Sequence, residues 1–192
     1  MKKLFFYLIG FVILASQSSC GYNTMVQKDE TVESQWANVQ NAYQRRADLV
    51  PNLVNTVKGA ADFERGTLTD VIEARAKATS VNISPDNLTP ENIQRFQQAQ
   101  GELSGALSRL LVSVERYPEL KANQNFLELQ AQLEGTENRI SVERRKFNEA
   151  VQDYNSYIRS FPRNLVAGMF DFEKKGYFEA EASAQQAPTV EF

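Results

Sequence analysis

Histidine is missing altogether from the 192 residues. The commonest metal ligand and the commonest acid–base group near neutral pH are therefore lost. Cysteine occurs once, which rules out an internal disulfide framework and leaves no Cys–His pair for nucleophilic catalysis. Glycine and proline are scarce, at 9 and 6 residues, which disfavours a turn-rich all-β sandwich. No glycine-rich phosphate loop occurs. There is no basic excess either. The net charge is −3, and removal of the first 19 residues, with Lys2 and Lys3, would make it −5. Nothing in that balance attracts nucleic acid. What is present is a 42% hydrophobic fraction in a chain of one domain's length, with long stretches of Ala, Glu, Gln, Leu and Arg, all good helix formers.

The N-terminus reads MKKLFFYLIGFVILASQSSC. Lys2 and Lys3 precede an apolar run from Leu4 to Ala15, followed by small and polar residues and the lone Cys20. That order is the order of a secretory signal. Twelve apolar residues fall short of the roughly 20 that a spanning helix needs. Ser18-Ser19-Cys20 resembles the end of a bacterial lipoprotein signal, in which the cysteine becomes the acylated first residue. Gln17 departs from it, because that position usually holds Leu or another apolar residue. The alternative is a short uncleaved anchor. Both readings place the rest of the chain outside the cytoplasm and tethered to a membrane, since the lysines precede the apolar run.

The body is patterned for helices. From Tyr22 to Val57 a heptad runs through Met25, Asp29, Val32, Trp36, Val39, Tyr43, Arg46, Val50 and Leu53, crossing Pro51 without losing register. One long kinked helix is predicted rather than two. A shorter helix follows at about 62–78, with Phe63, Leu68, Val71 and Ile72 as its apolar side. Residues 80–90 form a loop by composition. Thr89 and Pro90 read as the cap and first position of the next helix, whose seam is Ile93, Phe96, Gln100, Leu103, Leu107, Leu110, Val114 and Tyr117, ended by Pro118. The last long seam runs through Phe126, Leu129, Leu133, Thr136 or Glu137, Ile140, Arg144, Phe147, Val151, Tyr154, Ile158 and Phe161, and Pro162 stops it. A short helix is expected near 164–170. The fold class predicted is all-α: an antiparallel bundle of about four helices with a long first and a long last helix.

Several runs resemble the LemA family. They are Gln44-Arg45-Arg46-Ala47-Asp48-Leu49-Val50-Pro51-Asn52-Leu53-Val54 with Thr56-Val57-Lys58-Gly59, then Glu73-Ala74-Arg75, and residues 107–114. After these come Tyr117-Pro118-Glu119-Leu120-Lys121-Ala122-Asn123, the run from Leu133 to Ile140, Asp153-Tyr154-Asn155, Phe161-Pro162 and Tyr177-Phe178-Glu179-Ala180. The resemblance spans about 22–192. It implies a membrane-attached protein with an extracytoplasmic helical bundle and offers no catalytic residues. Many members have a longer, spanning anchor. On this reading residues 1–19 are a lipoprotein-type signal peptide or short anchor, 20–178 the bundle, and 179–192 a weakly ordered tail.

Candidate chemistry is thin. Arg46 and Arg144 fall on seam positions, with Asp48, Glu137 and Glu143 nearby in register. A buried arginine needs a partner. Arg46, Asp48, Glu137 and Arg144 are therefore a candidate polar network between helices, read either as a device that sets register or as an anion-binding patch. Glu134, Glu137 and Asp153 are the nearest thing to a metal set, but helical di-metal sites use Glu-x-x-His pairs. No metal or cofactor is expected, and no enzyme. The segment Phe161, Leu165, Val166, Met169, Phe170 and Phe172 is strongly apolar. It either caps the bundle or contacts the bilayer or a partner protein. The function expected is that of an envelope interaction or scaffold protein, tethered to the membrane, with an unidentified envelope protein as partner. The alternative is a small-molecule or anion sensor.

Overall fold

A computed structural model describes residues 2–59 and 64–179, with side chains from Gly21 onward. The signal or anchor at 1–19, the lipidation expected at Cys20 and the tail beyond Glu179 lie outside the described side chains. Among the described residues there are six α-helices, one 3-10 turn and no strand: α1 (Lys2–Lys58), α2 (Arg65–Ser80), the turn Pro85–Asn87, α3 (Pro90–Val114), α4 (Pro118–Lys121), α5 (Gln124–Arg159) and α6 (Arg163–Met169). The protein is all-α.

The heptad of α1 is a buried stripe. Met25, Val32, Trp36, Val39, Tyr43, Arg46, Val50, Leu53 and Val57 are all buried. Pro51 lies inside the helix without ending it. A mid-helix proline costs about 3 kcal/mol. Burying an aliphatic side chain contributes about 1.5–3 kcal/mol, and Val50, Leu53, Val54 and Val57 are all buried around it. The apolar stripe outweighs the proline.

The chain divides into two compact units. The second comprises Arg46–Gly135 and the segment from Gly176. Its core gathers Val50, Leu53 and Val57 of α1, Leu68 and Val71 of α2, Leu103 and Leu110 of α3, and Phe126 and Leu133 of α5. In α2 the buried side is Leu68, Val71, Ala74 and Ala78, while Ile72 is exposed, so the core face steps by three and four from Leu68 and leaves Ile72 on the outer side. Phe63 lies outside the described residues. Thr89 caps α3 as read from the sequence, its hydroxyl accepting from the Asn92 amide at 3.3 Å. Helix α3 ends at Val114, before Pro118, and the proline instead opens the single turn of α4. Asn123 caps α5, its Oδ1 accepting from the amides of Asn125 and Phe126 at 2.9 and 3.2 Å.

The first unit comprises the chain up to Arg45 and Thr136–Lys175. Trp36 packs on Phe147 with ring centres 5.6 Å apart. Ile140, Phe147, Val151, Tyr154 and Ile158 form the buried stripe of α5. At position 144 the structure departs from the predicted seam. Arg144 is only half-buried, and Glu143 is the fully buried residue of that turn. The steps 140–143–147 and 140–144–147 serve a 3.5-residue repeat equally, but an α-helix turns every 3.6 residues and drifts against it.

Candidate functional site

Three places concentrate chemistry, each within one unit. The first surrounds Pro51. Proline has no amide hydrogen, so the carbonyl of Ala47, four residues earlier, loses its helical donor. The Arg75 guanidinium replaces it, Nε donating to the Ala47 oxygen at 2.7 Å. One turn away, Arg46 is buried at 2% exposure. Its guanidinium donates to the Ser104 hydroxyl at 2.6 Å and to the Gln100 side-chain and backbone oxygens at 2.9 and 3.1 Å. Gln100 passes the chain on, donating to the Ala78 carbonyl at 3.1 Å. Asp48 is exposed on the outer face of the same helix. Arg46 thus directs its donors to the protein's own acceptors, which is what a charge inside a helical core requires.

The second place is in the first unit. Asp29 occupies a seam position of α1 and pairs with Lys175, Nζ to Oδ1 2.8 Å. The same ammonium lies 5.8 Å from the Tyr154 ring centre. Asn155 grips the backbone of residue 175 twice, its Nδ2 donating to the Lys175 carbonyl at 2.9 Å and its Oδ1 accepting the Lys175 amide at 3.0 Å. Burial, then the Asp29 carboxylate, then that of Glu173, hold the Tyr154 phenol above its ordinary range. It stays neutral at physiological pH. The signal for this cluster was an aspartate in an apolar heptad, but its partner lies far along the chain in a segment without secondary structure. Glu143 is a third buried charge, met by Arg139 at 2.8 Å and Lys146 at 3.3 Å on one oxygen, from the same helix. Its other oxygen has no hydrogen-bond partner. Glu137 is exposed and Arg144 half-buried in this unit. Among the described residues no group of three or more His, Cys, Asp or Glu is placed to hold a metal ion.

The third place is a surface. Phe161 (81% exposed), Leu165 (61%), Met169 (77%) and Phe170 (55%) face outward from α6 and its flanks, with Val166 and Phe172 half-buried. Leu165 and Met169 stand one turn apart on one side of α6, while Ala167 is buried. The ring of Tyr22 packs against Phe170 at 4.9 Å and Phe172 at 5.7 Å.

In the second unit the segment from Gly176 is held through its backbone. The Gly176 amide donates to the Leu88 carbonyl at 2.8 Å, and Gln97 makes a reciprocal pair with Glu179 at 2.9 and 3.1 Å. A β-carbon on Gly176 would meet the Pro90 backbone at 2.7 Å, so only glycine fits. Phe178 is buried against Phe96, ring centres 6.4 Å apart.

Fold and sites together define a class: an all-helical protein with buried polar clusters that pair mainly within the chain and an outward apolar surface. The chain belongs to the LemA family, whose family model matches residues 35–192. It is similar to Protein LemA of Metamycoplasma hominis, 22% identical over 180 residues, covering 92% of this chain and 78% of the relative. It is similar also to Magnetosome protein MamQ 1 of Paramagnetospirillum magneticum and Magnetosome protein MamQ of Magnetospirillum gryphiswaldense, 25% and 24% identical over 186 residues, each covering 88% of this chain and 68% of the relative. The runs around Pro51 and Arg75 that carry the resemblance are the ones joined by the Ala47 carbonyl.

Proposed function

We propose that this LemA-family chain is an interaction or scaffold protein of the cell envelope, held to the membrane through its N-terminus with the helical body on the extracytoplasmic side, and that it is not a catalyst. One observation carries the reading: Phe170 and Phe172, which follow α6 and its exposed Leu165 and Met169, pack on Tyr22, close after the basic-then-apolar N-terminal segment. Two features of the body support it. The Arg46 donors are turned inward to Gln100 and Ser104, which favours a structural over an anion-binding role. In the first unit Lys28 meets Asp153 and Trp36 meets Phe147, so rising numbers on α1 face falling numbers on α5, which supports an antiparallel pairing. Sequences named for the magnetosome and for LemA itself align over 88% and 92% of this chain, so the similarity extends across the helical body.

Among the described residues no helix is long and apolar enough to cross a membrane. The tether is read from the sequence of residues 1–20, in which two lysines precede an apolar run and Cys20. The experiment is expression of the full chain in a bacterium with labelled palmitate, alongside Cys20→Ser. The parent should incorporate label and be digested when protease is added to intact spheroplasts. Cys20→Ser should lose the label. A body protected in spheroplasts and digested only after lysis would overturn the proposal.

A further inference from the structure

The apolar surface on α6 has a definite address. Helix α1 is continuous from Lys2 to Lys58. Tyr22 lies two residues beyond Cys20 and seven beyond Ala15, about 3 and 10 Å of helix rise. The interfacial layer of a bilayer is roughly 5–7 Å deep on each side, the difference between its full and hydrocarbon thickness. Whatever rests against Tyr22 is therefore at headgroup depth when Cys20 is acylated and held at the bilayer surface, and just past that layer when Ala15 marks the hydrocarbon edge of an uncleaved anchor. Phe170 and Phe172 rest against Tyr22, and Phe161, Leu165 and Met169 extend the same surface into solvent.

The flanking charges agree with that address. The chain is acidic overall, yet exposed Arg159, Arg163 and Lys174 near α6 in sequence outnumber Asp171 and Glu173, while Lys28 is paired with Asp153. Arg163 stacks on the Tyr157 ring at 4.1 Å, with Lys28 at 5.2 Å from the same ring. An aromatic and aliphatic surface rimmed by basic side chains is the composition of segments that lie in the headgroup layer of anionic membranes.

We infer that the α6 surface, Phe161, Leu165, Met169 and Phe170 with Tyr22, docks on the same bilayer that holds the N-terminus, as a second contact beside the tether. The occupant is lipid, not a protein partner. Two contacts fix the orientation of the first unit against the membrane plane, where a single tether leaves it free to tilt. The inference rests on the tether reading, and the two fail separately in the test below.

The full chain carries one tryptophan, Trp36, which is fully buried. It is the internal baseline. The chain and its Phe170→Trp variant are reconstituted in phosphatidylcholine/phosphatidylglycerol vesicles whose acyl chains are brominated near the headgroup. Flotation reports the tether, and bromine quenching reports the docking. The expected result is flotation of both proteins, quenching of the introduced indole's emission by at least twofold, and little quenching of Trp36. Adding Leu165→Glu and Met169→Glu should abolish the extra quenching while flotation persists. An introduced indole open to aqueous acrylamide and untouched by bromine, in protein that floats, overturns the docking and leaves the tether standing. Protein that does not float overturns both. An introduced indole shielded from acrylamide in native envelopes but unquenched in vesicles assigns the surface to a protein and overturns lipid docking.

Discussion

If Arg75 serves the carbonyl that Pro51 abandons, its removal should matter only while the proline is present. Arg75→Ala is expected to lower stability by about 1.5–3 kcal/mol, the range for a hydrogen bond to a charged group. In a Pro51→Ala background, where residue 51 again donates to Ala47, the loss should shrink to a few tenths. Urea unfolding of the four proteins measures the coupling directly, and equal losses in both backgrounds would refute the pairing. Arg46 is a related case with a different chemistry. Arg46→Met leaves the Gln100 and Ser104 oxygens without their donor, so a loss of about 2–3 kcal/mol is expected. Arg46→Lys should not restore it, since one ammonium cannot span three acceptors that a planar fork reaches together. Raised stability in the methionine variant, at unchanged helicity by circular dichroism, would show that the arginine sets nothing. Tyr154 adds a pH signature. Its phenol is held above its ordinary value of 10.0 by burial and by Asp29 and Glu173. A raised folded pKa stabilises fully below the unfolded value and is lost above it. Stability should therefore fall from about pH 10 upward, by up to about 1.4 kcal/mol per pH unit. Melting temperatures at pH 9, 10 and 11 should drop more steeply for the parent than for Tyr154→Phe.

At the scale of elements, legibility followed periodicity. The stripes of α1 and α3 could be read because a three–four alternation of apolar residues has one structural meaning over five or more turns. The Thr89 cap was legible because its signal is local and chemical. The Asn123 cap is masked in the sequence, although it sits in the same relation to α5, because the preceding turn carries its own helix-forming residues in α4. Asn123→Ala should cost about 1 kcal/mol, as cap losses do, and the amides of Asn125 and Phe126 should exchange faster with solvent. Position 144 shows where periodicity stops deciding. A buried glutamate and a half-buried arginine are neighbours, and only the drift of a 3.6-residue helix against a 3.5-residue pattern separates them. The polar clusters were legible only by halves. Arg46 is legible as a charge in one apolar seam and Gln100 as a polar residue in another, but their pairing, and that of Asp29 with Lys175, depends on which helices and segments the fold brings alongside.

At the scale of the molecule, attachment decides what the body can do. A chain held at one point samples a hemisphere of orientations, and one held at two presents a fixed face. Substitution of Leu165 and Met169 by glutamate should leave thermal stability within about 0.5 kcal/mol of the parent, as surface changes do. A large fall in melting temperature would mean that α6 is a cap of the fold rather than a contact surface. The segment after Phe172 has a consequence of its own. It has no regular secondary structure, yet the amide hydrogens of Lys175, Gly176 and Glu179 are each engaged, by Asn155, Leu88 and Gln97 respectively. Each of the two side-chain amides, Asn155 in the first unit and Gln97 in the second, pairs with both the N–H and the C=O of one residue, as a neighbouring β-strand would. Hydrogen exchange should therefore find slow, protected amides in a stretch that resembles a frayed end. A truncation before residue 176 would remove from the second unit not slack chain but the Gly176–Leu88 and Glu179–Gln97 hydrogen bonds and the buried Phe178 ring.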